Sequence, residues 1–271
     1  MIGDLSSKYC TKPGQTYTMI SRVKSIKGLK LIGFDKTKII INKSALTEMK
    51  RLQENNKLTF TNLNFNKTIT TDFLIAQLNI RSLKAHHKDL IKHYYTTNTN
   101  ILCLSETHVN DYKHYKINNL PNLIHSYGTH GCAIYSTTKS TKTFHHNDIY
   151  ESVTGIIDNN IITSIYIPPN TAWYKIENKL TTLFQFLKEQ SNKHNCSKII
   201  INGDFNMDKN IQDNKLFPKL QDFNLTQIID EPTQILGNKL DLHITNSNFQ
   251  NISKTAVYFT DHHYIITSYK K

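Results

Sequence analysis

The chain has 271 residues, room for about one or two domains, with 38% hydrophobic and 20% charged residues. It is too apolar to stay disordered, yet Lys, Asn or Thr interrupts every apolar run well short of the roughly 20 residues a membrane helix needs. Thirty-three Lys and Arg against 21 Asp and Glu leave a net charge of +12, the sign expected of a chain that meets nucleic acid or another polyanion.

The basic excess is uneven. Residues 1–57 hold 12 Lys and Arg against four Asp and Glu, while all 13 histidines follow from His86 onward. The first ten residues lack the apolar segment of a secretory signal. Cys10, Cys103, Cys132 and Cys196 are scattered without a C-x-x-C pair, which argues against a disulfide framework or zinc finger and for a reducing compartment. Residues 53–71 are polar and rich in Asn and Thr, and read as a linker between a basic segment, 1–52, and a domain at 72–271.

Beyond the linker, residues 73–78 form an apolar run of strand length. Leu83, His87, Leu90, Ile91 and Tyr94 then fall at helical spacing. Strands are expected at 101–104, 131–136, 152–157 and 161–167. Trp173, Ile176, Leu180, Leu183, Phe184 and Leu187 form one apolar stripe along a helix of about five turns. A buried strand follows at 198–202, then a short helix at 216–223 and strands at 240–245 and 264–269. Many strands with few helices predict an α/β sandwich built on sheets, not a helical bundle.

Polar residues recur at the strand ends. Asn79 follows the first strand and Glu106 the second, Asp204 and Asn206 follow 198–201, Asp241 heads another strand, and Asp261 and His262 precede the last. Any one of these is an ordinary turn residue. The ordered set is better explained as one cluster assembled at a sheet edge from residues far apart in sequence. Carboxylate oxygens suit Mg²⁺, and a carboxylate beside a histidine suits an activated water, so metal-assisted phosphoester hydrolysis is favoured. There is no G-x-S-x-G elbow for acyl transfer.

Six segments occur in order: Leu78-Asn-Ile-Arg-Ser-Leu83, Leu104-Ser-Glu-Thr107, Tyr166-Ile-Pro-Pro169, Ile201-Asn-Gly-Asp-Phe-Asn206, Leu240-Asp241 and Thr260-Asp-His262. Together they resemble the endonuclease/exonuclease/phosphatase superfamily of DNase I and the apurinic/apyrimidinic endonucleases, and the first is closest to the endonuclease domains of transposable elements. The resemblance implies a four-layer α/β sandwich and a DNA endonuclease that uses Mg²⁺ or Mn²⁺. It implies Glu106 as metal ligand with Asn79 and Asp261 nearby, and Asp204 to orient or deprotonate the attacking water. Asn206 would hold the scissile phosphate, His262 would stabilise its developing charge with Asp241 behind it, and Tyr166 would meet the phosphate. Two positions depart from the pattern: Arg81 stands where apurinic endonucleases carry Asp, although transposon-type members also have Arg, and Thr260 replaces the usual Ser.

Gly14-Gln-Thr-Tyr-Thr-Met-Ile-Ser-Arg-Val23, with Gly28-Leu-Lys-Leu-Ile-Gly-Phe-Asp35, resembles the C-terminal end of Pif-family DNA helicases over residues 9–52. Arg22 corresponds to that family's arginine finger, but the chain has no G-x-x-x-x-G-K-[ST] phosphate loop, so this segment is not an ATPase on its own. A helicase tail joined to such an endonuclease resembles the arrangement of Helitron-like elements of the Helentron type. The expected partner is DNA, with no membrane and no small-molecule cofactor beyond metal, and the substrate implies a nuclear location. Two other readings stand beside the endonuclease: a phosphatase or phosphodiesterase acting on a small phosphorylated substrate, and a decayed DNA-binding remnant.

Overall fold

The computed structural model describes residues 2–4, 30–32 and 72–270. The chain divides into two units, 1–70 and 71–271. In the first, strands β1 (Ile2–Asp4) and β2 (Lys30–Ile32) pair in parallel. The rest of the helicase-like segment and the expected linker lie outside the described residues.

The second unit carries two six-stranded sheets. One contains β3 (Asp72–Asn79), β4 (Ile101–Ser105), β5 (Asn122–His125), β6 (Cys132–Ser136), β13 (Asn251–Ala256) and β14 (His263–Lys270), in the order β13-β14-β3-β4-β6-β5. The other contains β7 (Lys142–Asn147), β8 (Glu151–Ile157), β9 (Asn160–Tyr166), β10 (Lys198–Asp204), β11 (Thr226–Gln227) and β12 (Asp241–Thr245), in the order β11-β12-β10-β9-β8-β7. Each sheet has one parallel pair, β3 with β4 and β9 with β10, and all its other pairs are antiparallel.

A parallel pair needs a crossover, and a helix supplies it both times. Helix α1 (Leu83–Thr97) joins β3 to β4, and α2 (Trp173–His194) joins β9 to β10. The Ser82 hydroxyl starts α1 by accepting the Ala85 N–H at 3.3 Å, and Asn98 ends it in the left-handed conformation that Asn tolerates. The apolar stripe expected on α2 is the face it buries, and the helix runs on past Leu187 to His194. After β10 the chain forms α3 (Lys209–Ile211), a π-helical turn and α4 (Phe217–Gln221). The short helix expected at 216–223 is therefore the last part of a longer helical passage.

Side-chain alternation sorts the core into layers. Phe73, Ile75, Ile101, Cys103, Ile134, Ile162, Ile200 and Tyr269 pack between the two sheets. Ala76, Leu78, Leu102 and Leu104 face α1 on one outer surface. Ile161, Ile165, Ile199, Ile201, Leu242 and Ile244 face α2 and the 209–221 passage on the other. The result is a four-layer α/β/β/α sandwich, and strands covered on both faces read as unbroken apolar runs.

Toward the strand ends the inter-sheet layer turns polar. Gln77, Asn202, His243 and Thr267 are buried there. His243 bonds Tyr269 and Thr267, and burial lowers its pKa to about 3, so it is a neutral core histidine. One glycine is required by this geometry. Gly203 has φ +150° and lies opposite Ile165, where a Cβ would sit 1.8 Å from the Ile165 carbonyl oxygen. Only glycine lets β10 approach β9 this closely just before Asp204.

Candidate active site

The two parallel pairs end on the same edge of the sandwich. In one sheet Asn79 is in register with Ser105, just before Glu106, and in the other Asp204 is in register with both Tyr166 and Asp241. Ligand crevices form at the carboxyl ends of parallel strands. Here the two such edges face one another across the sheet interface.

Asn79 bridges the sheets. Its Nδ2 donates to Asp204 Oδ2 at 2.8 Å and to Glu106 Oε1 at 3.0 Å, while its Oδ1 accepts the Arg81 N–H at 3.0 Å. Asp204 Oδ1 accepts the Asn206 N–H at 3.0 Å, and Asn206 Nδ2 donates to the Ile167 carbonyl at 3.0 Å. Both oxygens of a carboxylate that is 1% exposed are thus fixed. On its far side, Asp204 Oδ2 lies 3.9 Å from His262 Nε2.

His262 Nδ1 bonds Asp241 Oδ2 at 2.7 Å, and both side chains are buried. Asp241 is held in turn by the Thr233 hydroxyl, which accepts the Asp241 N–H at 2.9 Å. The Thr260 hydroxyl donates to the Asn79 carbonyl at 3.0 Å and accepts the His262 N–H at 3.3 Å. Threonine therefore performs at this position the bonds that a serine hydroxyl would make.

These contacts tune the charges. Burial raises the Asp204 pKa, the neighbouring Asp241 raises it further, and it stands at about 7 although His262, Asn79 and Asn206 pull it down. Burial alone would lower His262, but the charge and hydrogen bond of Asp241, joined by Asp204 and Asp261, raise it to about 9. Tyr166 is pushed well above the usual phenol range by burial and then by Glu106. Near neutral pH the centre is an imidazolium set between two carboxylates, one of them held at the point of protonation.

Asp204, Asp241 and His262 bring three ligand atoms within 4.8 Å of one another. They are poorly suited to a metal as a trio, because the short Nδ1–carboxylate bond takes up one ring nitrogen and favours a protonated ring, which cannot ligate. Hard oxygens are available beside them. Glu106 Oε2 lies 3.7 Å from His108 Nε2, and Tyr166 approaches the same carboxylate. Asp261 Oδ1 is a buried atom with no aligned hydrogen bond, although Arg81 Nε lies 2.8 Å away. Two carboxylates next to an Asn, Glu106 and the Arg81-paired Asp261, offer the hard oxygen donors that a divalent cation of the Mg²⁺ type takes.

The family follows from a match over residues 76–262, from β3 to His262, to the model described as the Endonuclease/Exonuclease/phosphatase family. The chain belongs to that family. Its members are phosphoester hydrolases, and the residues above occupy the strand ends of its two-sheet fold. No curated protein matches the chain in sequence. Among solved structures, the 3′-5′ exonuclease NExo of Neisseria meningitidis aligns with TM-score 0.59 and 14% identity, over 72% of this chain and 98% of the exonuclease. An AP endonuclease from Archaeoglobus fulgidus gives 0.57 and 14%, over 72% and 98%. The endonuclease domain of TRAS1, a telomere-specific non-LTR retrotransposon, gives 0.56 and 15%, over 73% and 97%. At such identities the likeness is one of fold.

All eight residues expected from the sequence lie in or beside this network, Tyr166 by its register opposite Asp204 and by its charge coupling to Glu106. Four more belong with them. Arg81 pairs with Asp261, and Gln234 Nε2 donates to Asp261 Oδ2 at 2.9 Å. His108 stands beside Glu106, and the His130 ring packs on Tyr166 with centroids 4.7 Å apart. Gln234, His108 and His130 lie in loops with no periodic signal. Arg81, Glu106, His108 and Asn206 all have φ between 47° and 55°. Only Asn adopts that region readily, so the strain gathers around the network.

Proposed function

We propose that the chain is a divalent-metal-dependent DNA endonuclease of a mobile element, which nicks one strand by hydrolysis and leaves a 3′-hydroxyl. The observation that carries this reading is Asp204, fixed through both oxygens between Asn79 and Asn206 and facing His262 with Asp241 behind it.

Asp204 takes a proton from the attacking water. A base works best when its pKa lies near the working pH, and its value of about 7 meets that condition. His262 keeps its proton on Nε2 and aims it at a non-bridging phosphate oxygen, where negative charge grows as the water oxygen bonds to phosphorus. Asp241 holds the ring in place through Nδ1. Asn206 retains a second Nδ2 hydrogen for the phosphate, and Tyr166 lines the same end of β9. A bound Mg²⁺ or Mn²⁺ supplies Lewis-acid polarisation of the phosphate oxygens, with Glu106, Asp261 and Asn79 as the residues that would hold it. The P–O3′ bond breaks, and the departing oxygen takes up a proton to become the 3′-hydroxyl.

Support for DNA comes from the net charge of +12 and from fold neighbours that act on DNA. Support for a mobile element comes from the Asn-Ile-Arg-Ser-Leu segment, the helicase-like N-terminal segment and the retrotransposon endonuclease among the fold neighbours. A nuclear location follows from the substrate. A second reading, removal of a 3′-phosphate, is favoured by the likeness to a 3′ phosphatase bound to product DNA hairpin. The test is supercoiled plasmid with Mg²⁺ or EDTA, beside Asp204→Ala. Mg²⁺-dependent open circles that the variant does not produce are expected. Open circles from the variant would refute the reading, as would phosphate release from a 3′-phosphorylated hairpin without any nicking.

A further inference from the structure

Glu151 heads β8 in register with Tyr166 and is 6% exposed, a buried carboxylate that the reaction as described does not use. Its Oε1 accepts the His130 N–H at 2.9 Å and its Oε2 accepts the Gly131 N–H at 2.7 Å. Hydrogen bonds from two successive main-chain amides to one carboxylate are of the short, charge-assisted kind. Gly128 leaves room for the group, since a Cβ there would run into the Glu151 carboxylate. The loop between β5 and β6 is therefore folded onto this one side chain.

The carbonyls of the same two loop residues hold the segment that carries Glu106. The Gly131 carbonyl accepts the Thr107 N–H at 3.1 Å, and the His130 carbonyl accepts the His108 N–H at 2.8 Å. The Leu83 N–H donates to the Thr107 carbonyl at 2.9 Å, and Asn79 Nδ2 holds Glu106 Oε1. Glu106 and His108 both have φ 50°, a left-handed conformation that such residues keep only where their surroundings fix it. The peptide unit joining His130 to Gly131 lies in one chain, from the Glu151 carboxylate through the Gly131 N–H and the His130 carbonyl to the His108 N–H. Hydrogen bonds in such a chain polarise and strengthen one another. Both Glu151 oxygens face main-chain donors, so the group stands behind Glu106 and not among the groups that would touch a cation.

We propose that Glu151 is a positioning residue for Glu106. Through the His130–Gly131 peptide it holds residues 106–108 in their left-handed turn, and so sets how tightly the centre takes a divalent cation. The proposal rests on the metal reading above and adds the residue that stands behind the ligand. Groups one step behind a metal ligand govern affinity by orienting it, and removing one costs about tenfold or more. The bonds that fix Asp204 and His262 belong to other strand ends. Loss of the Glu151 carboxylate therefore raises the metal requirement and spares the rate at saturation.

The test measures Mn²⁺ binding to the full chain, without DNA, by electron paramagnetic resonance of the free ion. Glu106→Gln, which removes the charged ligand, sets the level of full loss. Glu151→Gln keeps the size of the side chain but turns an amide NH₂ toward a main-chain N–H, and it raises the Mn²⁺ Kd about tenfold. In nicking it raises the half-saturating Mg²⁺ concentration by the same factor and leaves the rate at saturation within about twofold of wild type. Ile156→Val, on the same strand but packed in the core layer against α2, lowers the melting temperature with no change in Kd. An unmoved Kd in Glu151→Gln, an equal rise in Ile156→Val, or undiminished binding by Glu106→Gln overturns the proposal. Amide exchange on the metal-free wild type needs no variant: the Thr107, His108, His130 and Gly131 amides exchange slowly, and fast exchange at all four overturns the relay. A Glu151-dependent Kd in a chain that does not nick sinks the nuclease reading and leaves the positioning role. A wild type that binds no Mn²⁺ sinks the metal reading and the proposal with it.

Discussion

Replacing Asp204 by Asn is expected to abolish nicking and yet stabilise the metal-free protein at alkaline pH. The carboxyl is buried beside Asp241, and its pKa rises from 3.8 to about 7. A folded-state value above the unfolded one means that the native state binds the proton more tightly, so this group's contribution falls as pH rises from about 4 to 7. A shift of this size corresponds to about 4 kcal/mol between protonated and ionised forms. Asn removes that penalty but sets its own Nδ2 against the Asn79 amide or gives up one hydrogen bond, at a cost of about 1 kcal/mol. The balance at pH 8.5 is a gain of about 1–3 kcal/mol, shrinking to nothing or slightly reversing at pH 5, where the wild-type carboxyl is already protonated. Urea unfolding in EDTA at the two pH values measures it. An Asn variant less stable than wild type by the same amount at both would show that the buried carboxylate carries no strain, and would remove the argument that its basicity comes from burial.

Two other outcomes follow from the same contacts. Asp241→Asn keeps an acceptor for His262 Nδ1 but loses the charge, so burial prevails and the imidazole pKa falls from about 9 to below 6.5. The alkaline limit of nicking moves down with it and the rate at pH 8 drops more than tenfold, whereas an unmoved limit in a pH–rate profile would separate His262 protonation from activity. Gly203→Ala places a methyl against the Ile165 carbonyl, costs about 2–4 kcal/mol in chemical denaturation and displaces Asp204. A cost below about 0.5 kcal/mol would mean that the approach of β10 to β9 is not tight.

The limits of the sequence reading lie at the margins of the sheets. Each strand expected from an apolar run is an inner strand, buried on both faces, as β4 and β8–β10 are. Within the two six-stranded sheets, the four strands that were not expected, β5, β7, β11 and β13, are the four edges. Segments such as Lys142–Asn147 and Asn251–Ala256 cover one side of a neighbour and face solvent on the other, so their pattern stays polar. The site was legible because its residues end inner strands, whose apolar runs mark the place. The support was less so. That Asn79 turns its amide onto two carboxylates, that Arg81 pairs with Asp261, and that Gln234 reaches the same carboxylate all depend on how loops fold back across the strand ends.

The place of β14 beside β3 has a consequence for synthesis. The last strand of the sandwich pairs beside its first, β3, and lies between β3 and the edge strand β13, second in the order. His262 sits at the threshold of that strand. While the chain is being made, a ribosome-bound nascent chain that has not yet released β14 has an open gap next to Asn79 and no imidazole to meet Asp204. Emergence of the final strand closes the gap and delivers the histidine in one step. The fold thus completes the candidate catalytic cluster only when its final strand is in place.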